Sequence, residues 1–243
     1  MAKELKSLLN LNYLDLTNKT HKVGKYDLPS VKCPAIYDID YIALYKELRN
    51  YQKTPKTVIS FYQFDKEFDG INGLSNAIWY NDKRRLEFFK RRFSNCRYFI
   101  APDYSQCGDI ENSENIHRIF RARVISLWLT LNLGAIVIPN ITYSNKKSFE
   151  YMLDGLEECQ TVAFSTKGIM KKSFEKDLLI AAIAKTVDTL NLKSIIVYTV
   201  SIDKETVLKL FAYAINRNIE IIIPDNLLQK RNIERSDNLY GKI

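Results

Sequence analysis

The sequence of 243 residues contains few of the side chains on which many enzymes and metal proteins depend. It has two histidines, His21 and His117, and four widely spaced cysteines without a C-x-x-C pair. Such a composition argues against a histidine-centred catalytic site and a zinc site, and it predicts reduced, mostly buried thiols. No apolar run approaches the roughly 18 to 20 residues of a membrane helix, and residues 1–6 lack the apolar segment of a signal peptide. We therefore expect a cytoplasmic protein with no membrane partner.

Glycine-rich phosphate-binding loops are also missing. Neither G-x-G-x-x-G nor G-x-x-x-x-G-K-[ST] occurs, so the sequence does not support a dinucleotide-binding fold or a P-loop. The composition is that of a globular protein, with 46% hydrophobic and 26% charged residues. Lysine and arginine number 36 against 28 acidic residues, which gives a formal net charge of +8. A basic chain attracts phosphate-bearing partners, so the charge favours DNA or RNA as a partner.

Strand-like and helical segments alternate from about residue 57 onward. Six short apolar runs predict strands at 57–64, 97–101, 135–138, 161–164, 194–198 and 220–223. The helices expected between and after them lie at about 82–94, 114–132, 146–154, 173–190 and 203–217. An earlier unit would have a strand near 34–37 and a helix at about 41–51. Continuous apolar strands that alternate with helices are typical of parallel sheets covered on both faces.

We therefore predict an α/β fold with a mostly parallel sheet of six or seven strands and helical crossovers. The sheet is either an incomplete (β/α) barrel or a doubly wound open sheet, and the lack of a glycine-rich first turn favours the barrel-like form. The apolar residues of segment 1–33 show no regular helical or strand periodicity, and the segment contains turn residues such as Gly24 and Pro29. We expect them to form an N-terminal extension packed on a single α/β domain of residues 34–243.

Polar side chains follow several of the predicted strands. Three strands end in Pro-Asp or Pro-Asn, which places Asp103, Asn140 and Asp225 directly after a proline that ends the pairing. In parallel α/β folds, ligands bind at the carboxyl ends of the strands. The other polar residues expected at this edge are Asp65, Ser105, Ser165 and Lys167. Alternatively, these residues serve as helix caps and turn residues.

The helix predicted at 114–132 carries an arginine among its apolar residues. Its apolar stripe consists of Ile116, Phe120, Val124, Leu127 and Leu131. Arg123 falls within this stripe, and because a buried arginine keeps its charge, it needs a carboxylate partner. The candidates for that partner are Asp65, Asp103 and Asp109. Arg121, at the edge of the stripe, is placed to reach a bound anion, so a structural salt bridge and an anion-binding site remain two alternatives.

A basic segment covers residues 82–93, with six positive charges against two negative ones. On a helix its apolar residues share the side that faces the core. The four arginines expected on the exposed arc are Arg84, Arg85, Arg91 and Arg92. They are either a stripe that tracks nucleic-acid phosphates or a solvated helix face whose late charges complement the helix dipole.

The order of these motifs resembles a known family. The motifs are Phe61-Tyr62 with Asp65 and Phe68, Pro102-Asp103-Tyr104-Ser105 with Asp109, Arg121-x-Arg123, Trp128, Gly134, Val137-Ile138-Pro139, Asp154-Gly155 and the run VAFSTKG at 162–168. Together they resemble the domain of unknown function 4417 family, over about residues 30–225. Cys107, Glu111 and Thr199 depart from the family pattern. The family occurs in bacteria, prophages, phages and plasmids, so the resemblance implies a phage-associated or mobile-element protein of the cytoplasm, and it implies no activity.

Three functions follow as alternatives. The first is binding of nucleic acid or another phosphate-bearing ligand in the replication, maintenance or defence of a mobile element. The second is a hydrolase, with a metal-dependent nuclease as one form, in which Asp65, Asp103 and Asp109 bind Mg²⁺ or share acid–base work. Its ligand-binding or anion-binding residues would be Arg121, Arg123, Ser105, Asn140, Ser165 and Lys167. The third is a non-catalytic protein-interaction factor, which an exposed apolar patch would mark.

Overall fold

The computed structural model describes residues 13–51, 54–170 and 172–240. Residues 1–12 of the predicted extension lie outside the described residues. The extension that follows contains α1 (Tyr13–Thr17), an antiparallel pair of β1 (Lys22–Val23) and β2 (Leu28–Pro29), and β3 (Lys32–Cys33). β3 pairs in parallel with β8 (Glu158–Cys159), and α1 contacts the long helix at Asn112–Leu133. The described part of residues 1–33 therefore packs against elements from the middle of the chain.

Eight further strands form two parallel sheets. The first contains, in spatial order, β12 (Asp225–Asn226), β4 (Tyr41–Leu44), β5 (Thr57–Ser60), β6 (Tyr98–Ile100) and β7 (Ile136–Ile138). The second contains β11 (Glu220–Ile222), β10 (Ser194–Tyr198) and β9 (Thr161–Ser165). These sheets confirm the predicted α/β class with parallel strands.

The two sheets meet at both of their edges. A single parallel bridge between Asn140 and Ala163 joins the chain after β7 to β9, and residues 223–224 carry the chain from β11 into β12. The order of the strands is therefore barrel-like, but among the described strands no continuous ladder closes a barrel. Tyr62, after β5, stacks on Tyr198 of β10 with the ring centroids 4.6 Å apart, although these strands are not neighbours. This contact crosses the interior at the carboxyl ends of the strands.

The helices cover the sheets from the outside. They are α2 (Asp65–Phe68), α3 (Leu74–Trp79), α4 (Lys83–Phe93), α5 (Asn112–Leu133), α6 (Ser173–Thr189), α7 (Lys204–Leu210), α8 (Ala212–Ile215) and α9 (Leu227–Tyr240), with 3₁₀ turns at Leu48–Asn50 and Lys146–Glu150. α4 begins after Asp82, whose side chain accepts a hydrogen bond from the Arg85 N–H, and α5 ends at the left-handed Gly134. No helix in the described ranges is both long and apolar enough to cross a bilayer.

The first strand–helix unit was predicted wrongly. The segment expected to form a helix at 41–51 begins with strand β4 and continues into a 3₁₀ turn, and no strand forms at 34–37. All four residues of β4 are buried, because β12 and β5 pair with it on both sides. Periodicity does not distinguish so short an apolar run from a buried helical turn. The strand expected at 57–64 also stops at Ser60, and the helix expected at 203–217 is divided into α7 and α8.

Candidate functional site

A cavity of about 260 Å³ lies at the carboxyl ends of the strands. The predicted site residues that line it are Asp103, Ser105, Asn140, Ser165 and Lys167. They come from the segments that end or follow β6, β7 and β9, and parallel strands deliver such residues to one edge of the sheet. Tyr143 and Glu175 line the same cavity and were not predicted, because they lie away from the strand ends in sequence. We call this the strand-end cavity.

Asp103 and Asn140 belong to a continuous hydrogen-bond network in this cavity. Asn140 Nδ2 donates to Asp103 Oδ1 at 2.7 Å, and the Tyr62 hydroxyl donates to Asn140 Oδ1 at 2.8 Å. Lys167 Nζ donates to the Tyr62 carbonyl oxygen at 3.3 Å. The network therefore connects the ends of four strands, β5, β6, β7 and β9, and holds the Asp103 carboxyl in one position.

Burial raises the pKa of Asp103 from 3.8 to about 6. The hydrogen bond from Asn140 and the charge of Lys167 lower this pKa, whereas the negative charge of Asp65 raises it further. A carboxyl group whose pKa lies close to neutral can accept a proton in one step and donate it in another. Such a group in a cavity is a candidate for acid–base catalysis.

Two tyrosine hydroxyls beside Asp103 remain neutral donors. Burial raises the pKa of Tyr62 well above its usual value of 10, and the charges of Asp103 and Tyr198 raise it further. Burial also raises the pKa of Tyr143, with smaller effects from Glu175 and Asp103. Tyr62 therefore orients Asn140, while the Tyr143 side chain presents a neutral phenol at the cavity wall.

Asp65 does not line the cavity and instead fixes the loop that carries Ser105. Its Oδ2 lies 3.2 Å from Arg118 Nη1, and the same nitrogen donates to the Ser105 carbonyl oxygen at 2.9 Å. The Ser105 N–H and hydroxyl both donate to Asp65 Oδ1 at 3.4 Å. Sequence reasoning missed Arg118, because it lies outside the apolar stripe and so did not stand out as a buried charge.

Arg123 is buried as predicted, with 4% of its surface exposed, but the expected partners were wrong. No carboxylate of the described residues lies within ion-pair distance of its guanidinium, and its Nε has no hydrogen-bond partner. Burial lowers the pKa of Arg123 to about 10, while the more distant charges of Cys159, Glu157 and Asp154 raise it. This arginine therefore faces the side of α5 near β8 and not the strand ends. Asp109, another expected partner, is exposed in a turn.

Arg121 also lies outside the strand-end cavity. Its Nη2 forms an ion pair with Asp69 Oδ2, which also accepts a hydrogen bond from the Tyr104 hydroxyl at 2.7 Å. Its Nε donates to the Ser75 hydroxyl at 3.2 Å. Asp69 was not singled out from the sequence, since it follows a short helix and not a strand. The predicted stripe on α5 was also wrong at Leu131, which is 46% exposed.

The three aspartates predicted as Mg²⁺ ligands are not gathered into one site. Asp103 lines the cavity, Asp65 pairs with Arg118, and Asp109 is exposed. Within the described part of the chain, no group of three or more His, Cys, Asp or Glu side chains is placed to hold a metal ion. The strand-end cavity does contain two carboxylates, those of Asp103 and Glu175.

The four arginines predicted on the exposed arc of α4 fall into two pairs. Arg84 and Arg91 are exposed. Arg85 forms an ion pair with Asp82 at 3.3 Å and donates to the Ile71 carbonyl oxygen. Arg92 stacks over the Tyr45 ring at 4.1 Å and donates to the Tyr45 carbonyl oxygen. Arg84 and Arg91, seven residues apart, are therefore exposed as predicted, whereas Arg85 and Arg92 make contacts within the protein. The apolar residues of α4 that are buried, as predicted, are Leu86, Phe89 and Phe93.

Comparison with known proteins adds a family match and two phage relatives. A family model described as Domain of unknown function (DUF4417) matches residues 20–214. The Gene 1 protein of Mycobacterium phage D29 is 22% identical over 165 residues, which cover 67% of this chain and 56% of that protein. The Gene 1 protein of Mycobacterium phage L5 is 20% identical over 177 residues, which cover 72% of each chain. The matched region thus spans little more than half the length of the D29 protein.

Proposed function

The chain belongs to the domain of unknown function (DUF4417) family, as its motifs predicted, and its phage relatives make it a phage-associated protein; we propose that it is a cytoplasmic hydrolase of a phosphate-bearing ligand. The observation that carries this proposal is Asp103, a half-buried carboxyl in the strand-end cavity whose pKa is about 6. Lys167 in the same cavity supplies a positive charge for a phosphate oxygen. Enzymes place acid–base groups with shifted pKa values in such cavities.

In the proposed reaction, water is the nucleophile and Asp103 is the base. The water oxygen attacks phosphorus, the Asp103 carboxylate accepts the proton that the water loses, and the bond from phosphorus to the leaving oxygen breaks. The protonated Asp103 then returns the proton to the leaving oxygen. Asn140 keeps the carboxyl oriented throughout, because its amide donates to Asp103 and accepts from Tyr62.

A Mg²⁺ ion is compatible with this proposal as a further component. Mg²⁺ commonly binds through one or two protein carboxylates, substrate phosphates and water, so it does not require a cluster of three protein ligands. Glu175 lines the same cavity as Asp103, so it would supply a carboxylate for the metal while Asp103 acts as the base. The activity test therefore has one arm with Mg²⁺ and one with a chelator.

The test uses the full chain with p-nitrophenyl phosphate as a monoester and bis-p-nitrophenyl phosphate as a diester. We expect release of nitrophenol from one of them, and a loss of about 10²-fold or more in the Asp103→Asn variant. Asp27→Asn is the matched control, because Asp27 is exposed in a turn and asparagine tolerates its positive φ of 52°. Equal rates for wild type and Asp103→Asn would overturn the proposal, as would the absence of both hydrolysis and phosphate-ester binding in the wild type.

The second candidate function is nucleic-acid binding through α4 in the replication, maintenance or defence of a mobile element. Arg84, Phe88 and Arg91 are exposed at positions i, i+4 and i+7, so they share one face of the helix. Two arginines can neutralise phosphates, while a phenylalanine between them offers a stacking surface for an unpaired base. This arrangement favours a single strand of DNA or RNA as the partner.

Binding of labelled single-stranded DNA and RNA tests this second function. We expect affinity to fall steeply with salt and to be lost when Arg84→Glu and Arg91→Glu are combined. Lys185→Glu with Lys209→Glu makes the same change in net charge on α6 and α7, and it is the matched control. An equal loss of affinity in both double variants would show that net charge alone, and not the face of α4, causes the binding. That result, or no binding by the wild type at low salt, would refute the candidate.

A further inference from the structure

A second cavity, of about 330 Å³, lies between α3 and α5. It is lined by Ser75, Asn76, Trp79, Tyr80, His117 and Arg121, and none of these residues lines the strand-end cavity. We propose that this cavity binds a mononucleotide, with its base stacked on the aromatic side chains and its phosphate on Arg121. The proposal does not rest on the hydrolase function. The cavity volume lies at the low end of the range of about 300–1,000 Å³ typical of small-molecule sites.

Arg121 is prepared to bind an anion at one end of this cavity. Asp69 holds its Nη2, Ser75 accepts from its Nε at 3.2 Å, and the guanidinium stacks over the Tyr104 ring at 4.6 Å. Its third nitrogen, Nη1, has no hydrogen-bond partner among the described residues. A guanidinium fixed on two sides loses little entropy when its free edge binds a phosphate oxygen.

Aromatic rings form the other part of the cavity. The Trp79 indole is stacked on one face by Tyr13, with the ring centroids 4.2 Å apart and 14° between the planes. His117 approaches Trp79 edge-on at 6.3 Å, and the neighbouring Tyr80 is 68% exposed. Because Tyr13 already holds the indole in place, a planar ring can stack in this cavity against a rigid surface.

The hydrogen-bond donors of this cavity, and not its net charge, favour a ligand with an anionic group. Among the described residues, the ionisable side chains that line it are Arg121, His117 and Tyr80, and none is a carboxylate. Asp69 pairs with Arg121, and Glu114 pairs with Arg118 at 3.1 Å while its other oxygen lies 3.7 Å from His117 Nδ1. The free Nη1 edge of Arg121 is therefore the donor that remains for an anionic group. A ligand with a planar ring and a phosphate therefore matches both ends of the cavity, whereas a neutral ring leaves Arg121 Nη1 without an acceptor.

Isothermal titration calorimetry with adenosine 5′-monophosphate and uridine 5′-monophosphate tests the site on the full chain. We expect saturable binding of a mononucleotide that is at least 10-fold tighter than binding of adenosine or inorganic phosphate alone. Tyr80→Ala and His117→Ala change exposed side chains and should weaken this binding by about 10-fold without changing the unfolding temperature. Tyr37→Ala, at an exposed tyrosine elsewhere, is the matched control. Quenching of Trp79 fluorescence should accompany binding, because the second tryptophan, Trp128, is buried.

The same titration separates this site from the strand-end cavity. Asp103→Asn should bind the mononucleotide as tightly as the wild type, so a loss of hydrolysis in that variant does not affect the present proposal. Loss of binding in Asp103→Asn but not in Tyr80→Ala would place the ligand in the strand-end cavity and overturn the second site. Equal affinity for the mononucleotide and for phosphate or adenosine alone would also overturn it, as would no binding at millimolar concentration.

Discussion

The side-chain amide of Asn140 links Asp103 to Tyr62 through one hydrogen bond to each of them. Its Nδ2 donates to Asp103 Oδ1 at 2.7 Å, while its Oδ1 accepts from the Tyr62 hydroxyl at 2.8 Å. Since a neutral phenol donates its proton to the amide oxygen, the amide nitrogen must face the carboxyl. This donor favours the carboxylate form of Asp103, whereas burial favours the protonated form, and the balance gives a pKa of about 6.

Asp103 makes the stability of the protein depend on pH. Its pKa in the folded state, about 6, lies above the value of 3.8 expected for an exposed aspartate, so the folded state binds this proton more tightly than the unfolded state. The contribution of Asp103 to the free energy of unfolding is therefore fully present below about pH 4 and is lost as the pH rises through about 6. Asp103→Asn should unfold like the wild type near pH 4 and be more stable at pH 8, by about 1–3 kcal/mol. Urea unfolding at both pH values measures this, and a less stable variant at pH 8 would contradict it.

Replacing Asn140 should move the pKa of Asp103 upward. Asn140→Ala removes the hydrogen bond that stabilises the carboxylate, so the pKa should rise above about 6. It also leaves the buried Tyr62 hydroxyl without its acceptor, at a cost of about 1–3 kcal/mol. A ¹³C NMR titration of the Asp103 carboxyl carbon measures the pKa. Asn132→Ala is the control, because the Asn132 side chain donates to the Trp128 carbonyl oxygen and not to Asp103. A similar rise of the Asp103 pKa in Asn132→Ala, or no rise in Asn140→Ala, would disprove the role of Asn140 in setting this pKa.

Asp69 and Asp65 should differ in their effect on stability, although each pairs with an arginine of α5. The side chain of Asp69 is 5% exposed and pairs with Arg121, whereas that of Asp65 is 32% exposed and pairs with Arg118. Asp69→Asn removes the counter-charge of Arg121, whose side chain is 25% exposed, and disturbs the buried acceptor of the Tyr104 hydroxyl, so it should cost about 1–3 kcal/mol. Asp65→Asn should cost no more than about 1 kcal/mol. Chemical unfolding of both variants makes the comparison, and equal losses would show that burial does not separate the two pairs.

Arg123 should be replaceable by an apolar side chain. Because its guanidinium is buried without an ion pair in the described chain, Arg123→Met removes the cost of keeping a desolvated charge and should leave stability unchanged or increase it by about 1–3 kcal/mol. Arg118→Met is the comparison, since it breaks the contacts to Asp65 and Glu114 and should lower stability. Thermal unfolding distinguishes the two variants. A loss of several kcal/mol in Arg123→Met would mean that the charge is compensated by a bound partner.

The features predicted correctly are those encoded over short stretches of sequence. The strand at Ser194–Tyr198 was predicted with its observed bounds, and the buried face of α4 followed from helical spacing. Asp103, Asn140 and Lys167 line one cavity because parallel strands place their carboxyl ends at one edge, and their functional role stays a prediction. Local pattern was sufficient for these features, since each depends on one element and on the direction of its strand.

The partners of charged residues could not be predicted in this way. Arg118, Arg121 and Arg123 follow one another at short intervals on α5, yet one contacts Asp65, one contacts Asp69, and one has no carboxylate partner in the described chain. On an α-helix Arg118 and Arg121 point about 60° apart, whereas Arg121 and Arg123 point about 160° apart. The spacing therefore separates Arg123 from the other two arginines, but only the packing of α5 against the loops after β5 and β6 decides which carboxylates they meet.

Sequence alone was therefore enough for the parallel α/β class, the family, and the edge of the sheet where polar groups collect. Tertiary structure decided that Asp103 shares Asn140 with Tyr62, that Arg121 belongs to a separate aromatic cavity, and that Arg85 and Arg92 serve the fold. The physical reason is the separation along the chain of the residues that interact. Apolar periodicity and strand ends are properties of consecutive residues. The contacts of Asp103, Asn140 and Asp65 instead join groups that lie 37 to 78 positions apart in the chain and meet only after the sheets and helices have packed.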